Sequence, residues 1–402
     1  MSIKEQQSFN YFFTSESVSE GHPDKIADRI SDGVLDHFLS ADNEARVAVE
    51  TLVTTNKVII AGEIKPTKDV ESFNNANNKD VINILIKDII KDIGYDQDGF
   101  SYKNVSIENY LHSQSQDIAM GVDATSDKEE GAGDQGIMFG FACDETIDYM
   151  PTAIYYSHKI LETLSEKRKS NEFSFLEPDA KSQITVEYRN NKPVSIDTVV
   201  VSHQHKQDAS YDLISSSIKS VLTDVLPPNL YNAEKAKHYI NPTGRFVIGG
   251  PDGDTGLTGR KIIVDTYGGM APHGGGAFSG KDPTKVDRSA AYIARHIAKN
   301  IVASGISSMC TIQLSYAIGI SKPTSIYINT HNTEKVDTTK LPQLIQEIID
   351  LSPKGIRTYL KLNNPIYSKT SSYGHFGRKA NGLYFPWEDL GLSVKLKSYY
   401  NL

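Results

Sequence analysis

Residues 46–64 read RVAVETLVTTNKVIIAGEI. Apolar and polar residues alternate along Arg46–Thr54 and again along Lys57–Ile64, with Thr55-Asn56 between them. The spacing predicts two strands joined by a two-residue turn. With that turn Thr54 faces Lys57, Glu50 faces Ala61 and Ala48 faces Glu63, so both acids point to one side of the sheet. Their Cβ atoms then lie about 7–8 Å apart, or somewhat less, on a diagonal. Two carboxylates so placed are met by water on a solvated face. On a face covered at an interface they need a metal ion or an amine-bearing ligand.

Helices flank this hairpin. Upstream, Ile26, Ala27, Ile30, Val34 and Phe38 recur every three to four residues behind Pro23, which suits a first helical turn. Downstream, Val81, Ile82, Leu85, Ile89 and Ile93 mark a second helix. The order helix, strand, strand, helix returns twice. It reads 152–167, 183–188, 194–202 and 211–225, then 286–304, 309–318, 324–329 and 341–351. The opening helices start near 24, 152 and 286, steps of 128 and 134 in a chain of 402. Three α/β units of one topology are expected, each a mostly antiparallel sheet layered with helices.

The chain carries 42 Lys+Arg and 50 Asp+Glu, a formal charge of -8, which argues against a general nucleic-acid or anionic-membrane surface. Two cysteines, Cys143 and Cys310, are too few for a disulfide framework or a four-cysteine zinc site. No run approaches 18 apolar residues, and the polar N-terminus does not read as a signal peptide. A cytosolic, folded, oligomeric protein is expected.

Three glycine-rich stretches invite a nucleotide reading. Gly131–Gly136 fits GxGxxG, but Ser126–Glu130 before it makes a poor strand, so a dinucleotide fold is rejected. Gly275–Asp282 fits GxxxxGK, but Asp282 replaces the Ser or Thr that binds Mg2+, so an ordinary P-loop is rejected too. What survives is backbone N–H groups able to approach an anion beside Lys281. The third stretch, Gly249 to Lys261, packs five glycines into 11 residues and reads as a loop leading into a strand at 261–267. Both of the last two loops end in basic residues, and between Arg245 and Lys299 eight Lys/Arg face five Asp/Glu. An anion site is the reading, against a pair of flexible surface turns.

The first helix opens with Ser19-Glu20-Gly21-His22-Pro23-Asp24-Lys25. A helix start offers free N–H groups and the positive end of the dipole, which suits phosphate. His22 and Lys25 add donors. Asp24 reads either as a first-turn acid favoured by the dipole or as a hard-oxygen ligand for Mg2+.

Phe13–Asp28 resembles the opening of the S-adenosylmethionine synthetases (methionine adenosyltransferases). Gly131–Gly136 resembles that family's GAGDQG hexapeptide and Gly274–Asp282 its GGGAFSGKD nonapeptide. Asn241–Phe246, Leu257–Tyr267 and Tyr373–Arg378 also match, so the likeness runs from about Phe12 to Trp387. It implies three similar α/β domains of mixed, mostly antiparallel sheets in a pseudo-threefold arrangement, at 9–115, 129–247 and 248–387. It implies synthesis of S-adenosylmethionine from ATP and L-methionine, with release of phosphate and pyrophosphate. It implies a cytoplasmic dimer, or a tetramer formed as a dimer of dimers, with active sites between subunits. The cofactors implied are about two divalent Mg2+ ions per site and one K+ per subunit.

By the same resemblance His22 contacts the triphosphate, Asp24 binds Mg2+ and Glu50 binds K+. Glu63, Gln114, Asp254 and Lys285 are methionine contacts. Asp179, Lys181, Arg245, Phe246, Asp254, Arg260, Lys261, Ala277 and Lys281 contact ATP. Asp287 is a candidate for the second Mg2+. Catalysis falls to His22, Lys181, Arg260 and Lys281. The chain departs from the family at Ser115-Gln116-Asp117-Ile118, where a proline is usual, and at His203, Asp252 and Thr255. Two other classes compete. A kinase using the GxxxxGK loop would release ADP, and a regulatory relative would have lost the charged site residues.

Overall fold

The computed structural model describes residues 10–66, 78–114 and 130–402, so the N-terminal residues 1–9 and the 115–118 run lie outside the described residues. Three times the chain lays down helix, hairpin, helix behind a leading strand. After β1 (Asn10–Val18) come α1 (Pro23–Ala41), β2 (Arg46–Thr54), β3 (Lys57–Lys65), α2 (Lys79–Ile93), the small hairpin β4 (Asp96–Gln97) and β5 (Phe100–Ser101), and β6 (Ser106–Ser113). After β7 (Gly136–Cys143) come α3 (Thr152–Lys169), β8 (Leu176–Arg189), β9 (Lys192–His205), α4 (Tyr211–Val225) and β10 (Lys237–Ile240). After β11 (Gly256–Leu257) come the single turn α5 (Ile262–Asp265), α6 (Val286–Ala303), β12 (Met309–Tyr316), β13 (Ser325–Asn329), α7 (Leu341–Ile348), α8 (Pro353–Tyr359) and α9 (Gly391–Tyr400).

The three units are interlaced. The sheets run β11-β2-β3-β6, β1-β8-β9-β10 and β13-β12-β7. Each leading strand therefore joins the sheet of another unit. The first unit's β1 pairs with β8 of the second, the second unit's β7 with β12 of the third, and the third unit's β11 with β2 of the first. All three of these pairings are antiparallel, as are the hairpins β2–β3, β8–β9 and β12–β13; β3–β6 and β9–β10 are parallel. The expected α/β class and threefold order are present. The hairpin register is also as read: Glu50 faces Ala61 and Ala48 faces Glu63.

One apolar core joins the first and third units, from Ile26 and Val47 to Ile297 and Trp387, and a second fills the middle unit around Ile184 and Val221. Helix α6 is buried almost throughout, so its charges must be paired. Arg288 meets Asp32, while Arg295 and Lys299 share Glu388.

The strand expected at 261–267 is not there. Ile262–Asp265 forms a helical turn, closed by Asp265 N–H on the Lys261 carbonyl at 2.8 Å. The run Ile262-Ile263-Val264 has strand propensity. Tertiary structure overrides it, because the turn swings Asp265 inward onto the fully buried Lys25 ammonium.

Candidate functional site

Both glycine loops are stitched to one edge of β2. Gly256 and Leu257 pair with Val53 and Leu52, and Thr258 N–H extends the ladder to the Thr51 carbonyl at 3.0 Å. Farther along the same edge, Val49 N–H donates to the Gly280 carbonyl and Asp282 N–H to the Val47 carbonyl, each at 3.0 Å. Gly259 and Gly280 hold φ near +77° and +78°, where a Cβ is strained. A Cβ on Gly280 would fall 1.9 Å from the Val49 carbonyl oxygen, and one on Gly259 would fall 2.5 Å from Ala277 Cβ. Glycine at these two positions lets the loops touch each other and hug the sheet. Arg260 and Lys261 follow the first, and Lys281 follows the second.

The start of α1 packs against the first loop. His22 caps the helix, its Nδ1 accepting the Asp24 N–H at 3.2 Å. That bond leaves the proton of the neutral ring on Nε2. Burial, then the charge of Lys261, lowers the His22 pKa to about 3 against the pull of Asp24, so the imidazole is neutral. Asp24 is buried, its Oδ1 accepting Leu257 N–H at 3.0 Å and its Oδ2 meeting Lys261. The Arg260 guanidinium lies 3.8 Å from Oδ1. Burial alone would raise the Asp24 carboxyl; the Lys261 and Leu257 bonds outweigh it and hold it below its usual value.

Asp179 lies beside this cluster on β8. It is buried, and its Oδ2 accepts Gly250 N–H at 2.9 Å while Oδ1 has no partner among the described residues. Burial raises its pKa to about 6, against the Gly250 bond and the charge of Lys181, with Asp254 pushing it further up. Lys181 and Asp254 are exposed.

A second cluster sits on the Glu50 side of the sheet. A cavity of about 410 Å³ is lined by Glu50, Glu63, His112, Thr258, Ala277 and Lys281, among others. Both acids read from the hairpin thus open into one space. Glu50 has no ion pair among the described residues, and Glu63 has only His112, at 3.8 Å. Lys281 is held by Asp287 at 2.7 Å and Lys285 by Asp282. Gln114 follows the end of β6, two residues beyond His112, its N–H on the Ile64 carbonyl at 3.1 Å.

The structure therefore joins His22, Asp24, Arg260 and Lys261 in direct contact, with Lys181, Asp179 and Asp254 alongside. It gathers Glu50, Glu63, Ala277 and Lys281 around the cavity but leaves Gln114 outside its lining, and the two groups meet where Gly259 touches Ala277. Phe246 packs near Gly249 with its N–H on His205 Nε2 at 3.1 Å, while Arg245 is exposed. Asp282 does not stand in an anion's place. Its buried carboxylate accepts from Val47 N–H, Thr284 N–H and Lys285, and so ties the loop down. Asp252 turns toward Gly99, and His203 is buried against Asn241. Thr255 is exposed and reaches Thr54 at 3.1 Å. His112 was missed in the sequence, since a lone polar residue near a strand end carries no signal; its register opposite Glu63 reveals it.

Comparison with known proteins covers nearly the whole chain. Family models described as the N-terminal, central and C-terminal domains of S-adenosylmethionine synthetase match residues 10–116, 129–246 and 248–389. The S-adenosylmethionine synthase of Paramagnetospirillum magneticum is 61% identical over 390 residues, covering 96% of this chain and 98% of that protein. That of Zymomonas mobilis is 58% identical over 393 residues, covering 97% and 98%. That of Rhizorhabdus wittichii is 57% identical over 397 residues, again covering 97% and 98%.

Proposed function

The chain belongs to the S-adenosylmethionine synthetase family, it makes S-adenosylmethionine from ATP and L-methionine, and we propose that it does so at the start of α1 and the two glycine loops. The observation that carries this placement is a buried His22 whose Nδ1 accepts the Asp24 N–H and whose Nε2 has no partner among the described residues, set among Lys261, Arg260 and Lys181.

In the proposed reaction the methionine sulfur attacks C5′ of ATP and expels the triphosphate. Sulfur is already a good nucleophile, so no enzyme nucleophile is needed. The protein's task is to position the reactants and stabilise the departing charge. His22 Nε2–H donates to the leaving oxygen. Lys181, Arg260, Lys261 and Lys281 spread the triphosphate charge, and the same cations then hold the triphosphate for its hydrolysis to phosphate and pyrophosphate. Asp179, Arg245, Phe246 and Ala277 shape the remainder of the ATP site, and Asp254 touches both substrates. Glu63 and Gln114 receive the methionine ammonium end and Lys285 its carboxylate.

Two lysines rest on carboxylates in the free protein, Lys261 on Asp24 and Lys281 on Asp287. Triphosphate draws the lysines away and frees both acids. Among the described residues no three His, Cys, Asp or Glu side chains gather into a cage. Mg2+ held by one or two carboxylates plus substrate phosphates requires none, so Asp24 and Asp287 fit it. When bound there, Mg2+ neutralises and polarises phosphoryl oxygens. Glu50, on the cavity wall and without an ion pair among the described residues, suits K+.

No helix among the described residues is long and apolar enough to cross a membrane. The domain divisions 9–115, 129–247 and 248–387, a cytoplasmic location and a homodimer or paired-dimer tetramer complete the proposal. Covering by a second subunit would close the Glu50–Glu63 cavity, whose wall is exposed at Glu50 and Ala61 in the single chain.

The test is a product assay with ATP, L-methionine, Mg2+ and K+. S-adenosylmethionine with equal phosphate and pyrophosphate is expected, and ADP as product would reject the mechanism. For the cation, Glu50→Gln is expected to lose most of the stimulation by K+ while keeping activity in its absence. An unchanged ratio of rates with and without K+ removes Glu50 as the ligand.

A further inference from the structure

Helix α1 carries aspartates at 24, 28, 32 and 36. A spacing of four sets them along one face, about a turn apart. Each accepts backbone N–H from a segment far away in the chain. Asp24 takes Leu257, Asp28 takes Gly259 at 2.8 Å and Asp32 takes Gly280 at 2.8 Å. Asp36 takes Tyr367 and Ser368 at 3.0 and 2.8 Å. The second and third rungs grip the residues immediately before Arg260–Lys261 and before Lys281.

Their surroundings make these grips firm. Asp28 and Asp32 are fully buried, and a carboxylate holds an N–H more strongly than a neutral acceptor does. Asp28 is balanced by Lys25 at 2.9 Å, and Lys25 also meets Asp265. Asp32 pairs with the equally buried Arg288 at 2.7 Å, and Arg288 donates in turn to the Lys281 carbonyl at 3.0 Å. The backbone before and after Lys281 is thus fixed by one ion pair, Gly280 N–H by the acid and the Lys281 carbonyl by the base. A buried pair of this kind is weak evidence for stability as such.

We propose that Asp28 and the Asp32–Arg288 pair are positioning residues, which preset Arg260, Lys261 and Lys281 for triphosphate before it arrives. This rests on the phosphate role of those three cations given above. Without the grips, binding must first order the loops. Ordering one residue costs about 1–2 kcal/mol, which is about ten-fold in affinity.

The test uses the full-length protein, with tripolyphosphate binding by calorimetry, amide hydrogen exchange and a melting curve for each variant. Asp28→Ala is expected to bind tripolyphosphate about ten-fold more weakly. Asp28→Asn keeps an oxygen for Gly259 N–H and is expected to restore most of the affinity. The double variant Asp32→Ala/Arg288→Leu removes acid and base together, leaves no unpaired charge, and is expected to weaken binding similarly. A purely structural role would lower the melting temperatures and leave the dissociation constants alone. Folded variants that bind as tightly as wild type overturn the positioning role. If the alanine variants do not fold, the wild type decides: Gly259 and Gly280 amides are expected to exchange slowly despite lying in loops, and free exchange at both overturns it. Failure of the wild type itself to bind tripolyphosphate overturns instead the phosphate reading beneath it.

Discussion

Lys261→Met is expected to slow S-adenosylmethionine formation by about 100–1,000-fold at saturating substrates, the usual cost of removing one preorganised donor aimed at developing charge. Two losses combine in this variant. The triphosphate loses a cation, and the buried Asp24 loses the partner that offsets its desolvation. Leu257 N–H, the more distant Arg260 and the neutral His22 ring, 3.9 Å away, then remain near the carboxylate. Burial is the largest influence on Asp24 and acts upward, so without Lys261 its carboxyl rises in the free protein. Lys261→Arg keeps the charge but not the point geometry and should recover part of the rate. The check is single-turnover formation of S-adenosylmethionine, with circular dichroism to establish the fold. A turnover near that of wild type in Lys261→Met would take Lys261 out of the site.

The hairpin was readable because its information is local. A two-residue turn and strict alternation fix which residues face one another, and Glu50 and Glu63 follow from that alone. The long helices were readable for the same reason. The strand exchange was not. Asn10 pairs with Arg189, across 179 residues of chain, and the third exchanged strand is only two residues long. A strand of that length has no periodicity to read. The 261–267 segment misled because its apolar run has strand propensity, while the force that bends it is a buried lysine from another unit.

The site was legible in its residues more than in its wiring. His22, Asp24 and the two basic loop ends stand out as types and spacings. That both loops run along one edge of β2 depends on tertiary pairing, which no spacing reveals. The aspartate row on α1 has a period of four, a pattern that the solvated face of an amphipathic helix shows equally well. Only the structure shows that this face is inside, with Asp28 and Asp32 fully buried.

His22→Asn is expected to slow S-adenosylmethionine formation by at least about ten-fold with the fold intact, less than the full cost of a lost donor because the amide rescues part of the hydrogen bond. The proton it replaces is specified by the helix. With Nδ1 accepting from Asp24 N–H, the neutral ring has one proton and it lies on Nε2. Burial and Lys261 keep the ring neutral in the free protein down to about pH 3, so His22 serves as a hydrogen-bond donor across the working range rather than as a titrating acid. Any acid limb in the pH–rate profile near the ordinary histidine value of about 6.5 therefore belongs to another group and should persist in His22→Asn. Stability gives an independent check with a definite sign. A histidine whose folded pKa is depressed contributes stability above its unfolded pKa and loses it as pH falls toward the folded one. Wild type should accordingly lose stability relative to His22→Asn between about pH 6.5 and about 3, read as diverging denaturation midpoints. Parallel midpoints across that window would mean that His22 protonates freely. Its Nε2–H would then no longer be a neutral donor waiting for the leaving oxygen.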